Sequence, residues 1–189
     1  MENSLGRMTY IDHKKVKDGD LVQVFGIDVS GSQGNIDWEE VKRAGVRSAM
    51  IRAGFGSGSI DVQFRRNAEG CTRQGIPFGV YWLSYAWSSG MAREEARQCL
   101  ETIEDYKVDY PVCIYFGRDA VRYAASRGKA VTKELAARIV EAFCESVEER
   151  GYAAMYGTEP DFLENLFDGR LREKYPLWIQ GDGPPCVIS

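Results

Sequence analysis

The feature that most constrains this chain is the regular alternation of short apolar runs with helical patterns. Apolar runs at residues 25–30, 48–55, 78–85, 112–116, 153–156 and 177–180 have the length and composition of buried strands. A helix is expected between the first two, opening at Asp37 with Glu40 three residues on and stopping at Gly45. A second follows Asp61 as candidate N-cap, with Phe64, Ala68 and Cys71 on one face, and ends at Gly75. A third covers about residues 91–106. The clearest runs over residues 132–150, where Ala136, Ile139, Val140, Phe143, Cys144 and Val147 form one stripe and Gly151 follows as a stop. Strand, helix, strand repeated in this way gives right-handed crossovers and a parallel sheet. The sheet is either open and doubly wound or curled into a (β/α) barrel, and periodicity alone does not choose. Both arrangements put the working site at the C-terminal ends of the strands.

With 189 residues, 44% of them hydrophobic, the chain has apolar surface for one ordinary core and too little length for two. The polar, unpatterned residues 1–20 read as a leader, and a single domain is expected over 21–189. Net charge is −4 and no Lys/Arg cluster forms a phosphate-tracking stripe, which argues against nucleic acid. No window approaches the roughly 18 apolar residues of a membrane helix, and the start lacks the apolar centre of a signal peptide. The sequence as written thus reads as cytoplasmic, with release or export to the cell wall needing another route. Cys71, Cys99, Cys113, Cys144 and Cys186 are scattered, odd in number and without metal-ligand spacing, so they read as buried thiols. The one histidine, His13, lies in the leader, leaving nothing for a His-based metal site or triad. No cofactor is expected.

The strand ends are rich in aromatic and hydroxyl side chains: Asp28 and Ser30, Arg52, Tyr81 and Tyr85, Tyr115 to Asp119, Tyr156 and Trp178. A groove lined by Tyr81, Tyr85, Trp87, Tyr115 and Tyr156 suits a sugar, because aromatic faces stack on a pyranose while their polar tips hydrogen-bond. The same residues would equally cap a barrel core.

The stretches GIDVSGSQGNIDWEEVKRAGV, AMIRAGFGSGSIDVQFRRNAEG, GIPFGVYWLSYA, DYPVCIYFGRDAVRYA, AFCESVEERGYAAMYGT and YPLWIQ resemble, in order and spacing, successive blocks of the family 25 glycoside hydrolases, the muramidase type of lysozyme found in phage and bacterial endolysins. The resemblance spans residues 25–180. It implies a (β/α) barrel and a history of cleaving the β-1,4 bond between N-acetylmuramic acid and N-acetylglucosamine in peptidoglycan. In that family the fourth barrel strand carries Asp-x-Glu, the Glu as general acid and the Asp assisting the substrate's N-acetyl group. Residues two apart on a strand share a face, so both carboxyls enter one pocket. The matching positions in this chain are Tyr115 and Gly117, so both acids are absent. A phenol is a weak acid at neutral pH and glycine has no side chain; losing general acid catalysis costs on the order of 10²- to 10⁴-fold.

Other positions depart too. The family's Ser-Trp-Gln after its first strand is Gly31-Ser32-Gln33, and its Asn after the fifth is Thr158. The chain also stops at Ser189, where the family continues for two more strands, so an incomplete barrel of about six parallel strands is expected. Asp28 matches the family's first-strand Asp and is the retained carboxylate expected to line the pocket. Asp61 matches the Asp before the second helix, serving as a cap or a substrate ligand. Asp119 is a weak candidate for a relocated acid, and Arg118 is a new cation that would pair with Asp28 or Asp119 or bind an anionic group. Three functions follow: a catalytically impaired domain that still binds cell-wall glycan, an active muramidase using Asp28 and Asp119, and a non-catalytic interaction protein. An open parallel edge would also invite a second copy of the chain.

Overall fold

The computed structural model describes residues 6–11, 23–167 and 169–179; His13, Gln180 and Cys186 lie outside them. Its frame is six parallel strands: β2 (Gln23–Val29), β3 (Ser48–Phe55), β5 (Phe78–Leu83), β6 (Val112–Tyr115), β7 (Ala154–Thr158) and β8 (Leu177–Ile179), paired side by side in that order. The two-residue β4 (Ser59–Ile60) folds back on the end of β3. The sheet curls into a half-barrel, the incomplete barrel expected from the sequence. One strand was not anticipated: β1 (Gly6–Ile11), inside the stretch read as an unpatterned leader, pairs antiparallel with β2 along its outer edge.

Seven helices are described: α1 (Trp38–Arg43), α2 (Phe64–Gln74), α3 (Ser89–Ile103), α4 (Arg118–Ser126), α5 (Lys133–Glu149), α6 (Pro160–Leu166) and α7 (Gly169–Lys174). The sequence announces α1, α2, α3 and α5. Asp37 caps α1 by accepting from the Glu39 and Glu40 N–H groups, and Thr132 caps α5 by accepting from Leu135 N–H. α2 ends on Gly75, whose φ of 61° closes the helix in the left-handed region. The short helices α4, α6 and α7 bury little: Ala120 and Ala124 of α4, Leu166 of α6 and Leu171 of α7.

Strand alternation divides the interior in two. On the helix side, Ile27 and Val29, Ala49 and Ile51, Val80 and Trp82, Ile114 and Phe116, and Ala154 and Tyr156 pack against the helices in one large core. On the concave side, Met50, Tyr81, Cys113, Tyr115, Met155 and Trp178 form a second, smaller cluster. Cys71, Cys99, Cys113 and Cys144 are buried free thiols, and burial pushes each above the ordinary thiol range. Among the described residues no helix is long and apolar enough to cross a membrane, and no cluster of His, Cys, Asp and Glu has the makings of a metal site.

Candidate active site on the concave face

The concave face ends in a floor of three rings. Tyr81, Tyr115 and Trp178 meet edge to face, with centroids 6.4 Å (Tyr81–Tyr115), 5.3 Å (Tyr81–Trp178) and 5.6 Å (Tyr115–Trp178) apart. They come from β5, β6 and β8, and Gly157 on β7 makes room between the last two. A Cβ on Gly157 would lie 2.9 Å from the Tyr115 ring and 3.1 Å from Trp178. Tyr115 therefore fills the floor where the resemblance expects an Asp. Burial, with Glu159, Cys113, Tyr81 and Asp28 adding to it, raises the Tyr115 phenol above its ordinary range. Burial does the same to Tyr81, again with Asp28 reinforcing it.

Asp28 projects to this side from β2 and is buried. Beside it, Asp61 is buried in an ion pair: its Oδ2 accepts from Arg52 Nε at 2.6 Å and from Gly31 N–H at 2.9 Å. Its Oδ1 accepts from Gln63 N–H at 2.9 Å. The expectation that Asp61 is the N-cap of α2 is thus corrected. The N-cap position is Gln63, and Asp61 instead ties the Gly31–Gln33 turn to β3.

Above the floor runs a half-buried aromatic strip. Phe55 and Tyr85 are 6.5 Å apart, Tyr85 and Tyr123 5.2 Å, and Trp87 and Tyr123 5.6 Å. Tyr123, on α4, was not singled out from the sequence, because α4 itself was not. The segment bearing Tyr85 is held from behind by Glu95 of α3, whose Oε1 accepts the Tyr85 N–H at 2.9 Å. Burial raises the Glu95 carboxyl to about 7, against the lowering effect of hydrogen bonds from Ser84 and Tyr85.

Geometry overturns one expected groove residue and gives two others new surroundings. Tyr156 lies with Ala154 on the helix side of β7, fully buried with its ring 5.4 Å from Phe167, because strand parity sends Met155 and Gly157 to the concave side. It lines no groove. Asp119 is not on a strand but exposed in the first turn of α4, where its charge helps burial raise the Tyr85 phenol. Arg118 pairs with neither Asp28 nor Asp119. Its Nη2 bonds Asp161 Oδ2 of α6 at 2.6 Å, and its guanidinium sits 5.9 Å from the Phe162 ring centroid.

Gly117, buried, is the N-cap residue of α4. The space beside it is taken by a residue that sequence reasoning missed. Glu159, at the end of β7, turns its carboxylate to Gly117 and accepts the Arg118 N–H at 3.2 Å through Oε2. Only the pairing of β6 with β7 brings positions 117 and 159 together.

A parallel half-barrel with aromatic rings and carboxylates gathered at its strand ends is the frame of a (β/α)-barrel protein, with its working site at that end. The sequence model of "Glycosyl hydrolases family 25" matches residues 27–181, and the chain belongs to that family. It is 32% identical over 162 residues to the uncharacterized protein YegX of Escherichia coli O6:H1, covering 82% of this chain and 55% of YegX. A family 25 glycosyl hydrolase from Bacillus anthracis superposes with a TM-score of 0.73 at 21% identity, covering 88% of this chain and 74% of that one. The modular autolysin LytC from Streptococcus pneumoniae, solved in complex with a synthetic peptidoglycan ligand, gives 0.73 at 20% identity, covering 93% and 43%. The chain thus spans about half the length of YegX.

Proposed function

We propose that this chain recognises the glycan strands of bacterial peptidoglycan at the C-terminal ends of its parallel strands, and that its β6 positions contribute no acid to hydrolysis. The observation carrying this reading is the half-buried strip of Phe55, Tyr85, Tyr123 and Trp87 above the floor of Tyr81, Tyr115 and Trp178. Half-buried aromatic rings gathered side by side at the strand ends suit stacking against pyranose units. Membership of family 25, and the LytC complex with a peptidoglycan ligand, support the choice of glycan. With Tyr115 and Gly117 in the acid positions, the pair the family uses for protonation and N-acetyl assistance is missing, so the domain is impaired relative to a lysozyme. The test is titration of the full chain with soluble muropeptides, read by tryptophan fluorescence. A saturable change that weakens in Tyr85→Ala supports the reading, and no saturable change at millimolar ligand refutes it.

One observation favours a second reading, a slow muramidase with a rearranged site: the Glu159 carboxylate beside Gly117.

A further inference from the structure

We propose that Glu159 is the proton-donating carboxyl of this site, reaching from the end of β7 into the space that Gly117 leaves on β6. The inference rests on the reading that the concave face holds a cell-wall glycan.

β6 and β7 run side by side with Tyr115 opposite Gly157, so the chain leaving β7 at Glu159 passes the chain leaving β6 at Gly117. A Cβ built on Gly117 would fall well inside contact distance of Glu159 Oε2, with the carboxyl carbon at 2.7 Å and Oε1 at 3.0 Å. In any glutamate, two bonds of about 1.5 Å at a tetrahedral angle put the carboxyl carbon about 2.5 Å from its own Cβ. Glu159 thus puts its carboxyl carbon about as far from that Cβ as a glutamate at 117 would put its own, with Oε2 turned in to where the Cβ would lie. The Arg118 N–H, donating to Oε2 at 3.2 Å, ties it there.

A second observation is independent of that overlap. Tyr115 is 5% exposed, and its hydroxyl has no hydrogen-bond partner among the described residues. It lies within electrostatic reach of both Glu159 and Asp28. A buried hydroxyl left without a partner is unfavourable, and a ligand's polar group would satisfy it. The floor therefore offers an unused hydroxyl that feels the charge of two carboxyls from opposite parts of the curled sheet, β2 and the end of β7. Two carboxyls flanking the scissile bond are the usual equipment for glycoside hydrolysis.

In the step assigned to Glu159, its carboxyl proton passes to the glycosidic oxygen as the C1–O bond breaks and its electron pair stays on that oxygen. The carbonyl oxygen of the same sugar's N-acetyl group bonds to C1 from the opposite face. Water then displaces it, leaving a hydroxyl on C1 and returning a proton to Glu159. One glycosidic bond is broken and one water consumed.

The test incubates the full chain with purified peptidoglycan and follows muropeptides with new reducing ends by mass spectrometry, alongside the fluorescence titration. The expected result is slow release by the natural sequence. Glu159→Gln should slow it by on the order of 10²-fold or more while saturable binding persists. Glu159→Asp, which keeps the carboxyl but withdraws it by one methylene, should fall between. Release that survives in Glu159→Gln overturns the proposal, as does binding without any release by the natural sequence. In the latter case the glycan-binding reading stands alone; absence of both binding and release defeats both.

Discussion

Arg52 Nε lies 2.6 Å from Asp61 Oδ2, and that oxygen also accepts the Gly31 N–H at 2.9 Å. One carboxylate, 1% exposed, thereby neutralises a cation that is itself only 21% exposed and fixes the turn that follows β2. Removing one partner of such a pair leaves the other charge uncompensated, which costs about 3–5 kcal/mol. Asp61→Ala should therefore lower the melting temperature by roughly 10 °C. Thermal denaturation measures this directly, and a drop of only a degree or two would show that the pair adds nothing.

The Glu95 carboxyl gives stability a pH dependence opposite in sign to that of an ordinary salt-bridged acid. Its pKa is raised from 4.5 to about 7 by burial, so between those values the folded chain holds a proton that the unfolded chain has lost. The stabilisation is complete below about pH 4.5 and is lost as pH rises through 7, amounting to about 3 kcal/mol at one pKa unit per 1.36 kcal/mol. Glu95→Gln should flatten this slope. Urea denaturation of both proteins at pH 5 and pH 8 checks it, and equal slopes in the two would contradict the assignment.

The aromatic strip and the helix-side core make different predictions for tyrosines. Tyr123→Ala removes a ring that touches both Tyr85 and Trp87 and should weaken muropeptide binding by roughly 2- to 10-fold, the range of a single aromatic contact. Tyr156→Phe acts in the core behind the sheet and should leave the dissociation constant unchanged. The fluorescence titration separates them, and equal losses would mean that the glycan does not use the strip.

These residues also show how far the sequence could be read. Apolar runs located the six parallel strands to within a residue or two because buried strands must be continuous and apolar. Tyr156 was misassigned although the information was present: period two on β7 pairs it with Ala154, away from Met155 and Gly157. α4 was missed because its buried face is two alanines, and Tyr123 went with it. Glu159 was not legible at all, since it lies 42 positions from Gly117 and the two meet only through the β6–β7 pairing.

That pairing also decides what introducing the acids that the resemblance implies at 115 and 117 would do. Tyr115→Asp with Gly117→Glu reinstates both carboxyls, but the new side chain at 117 must enter space already held by Glu159 Oε2 and Cδ. Two carboxylates forced together repel, and one must be displaced or take a proton. The aspartate at 115 also withdraws a ring from the Tyr81–Trp178 floor. The double variant should therefore melt lower than the natural chain and release muropeptides poorly. Adding Glu159→Ala vacates the space and should raise both the melting temperature and the rate of release. If the double variant already matches the triple one in both measurements, Glu159 does not compete for the space at position 117.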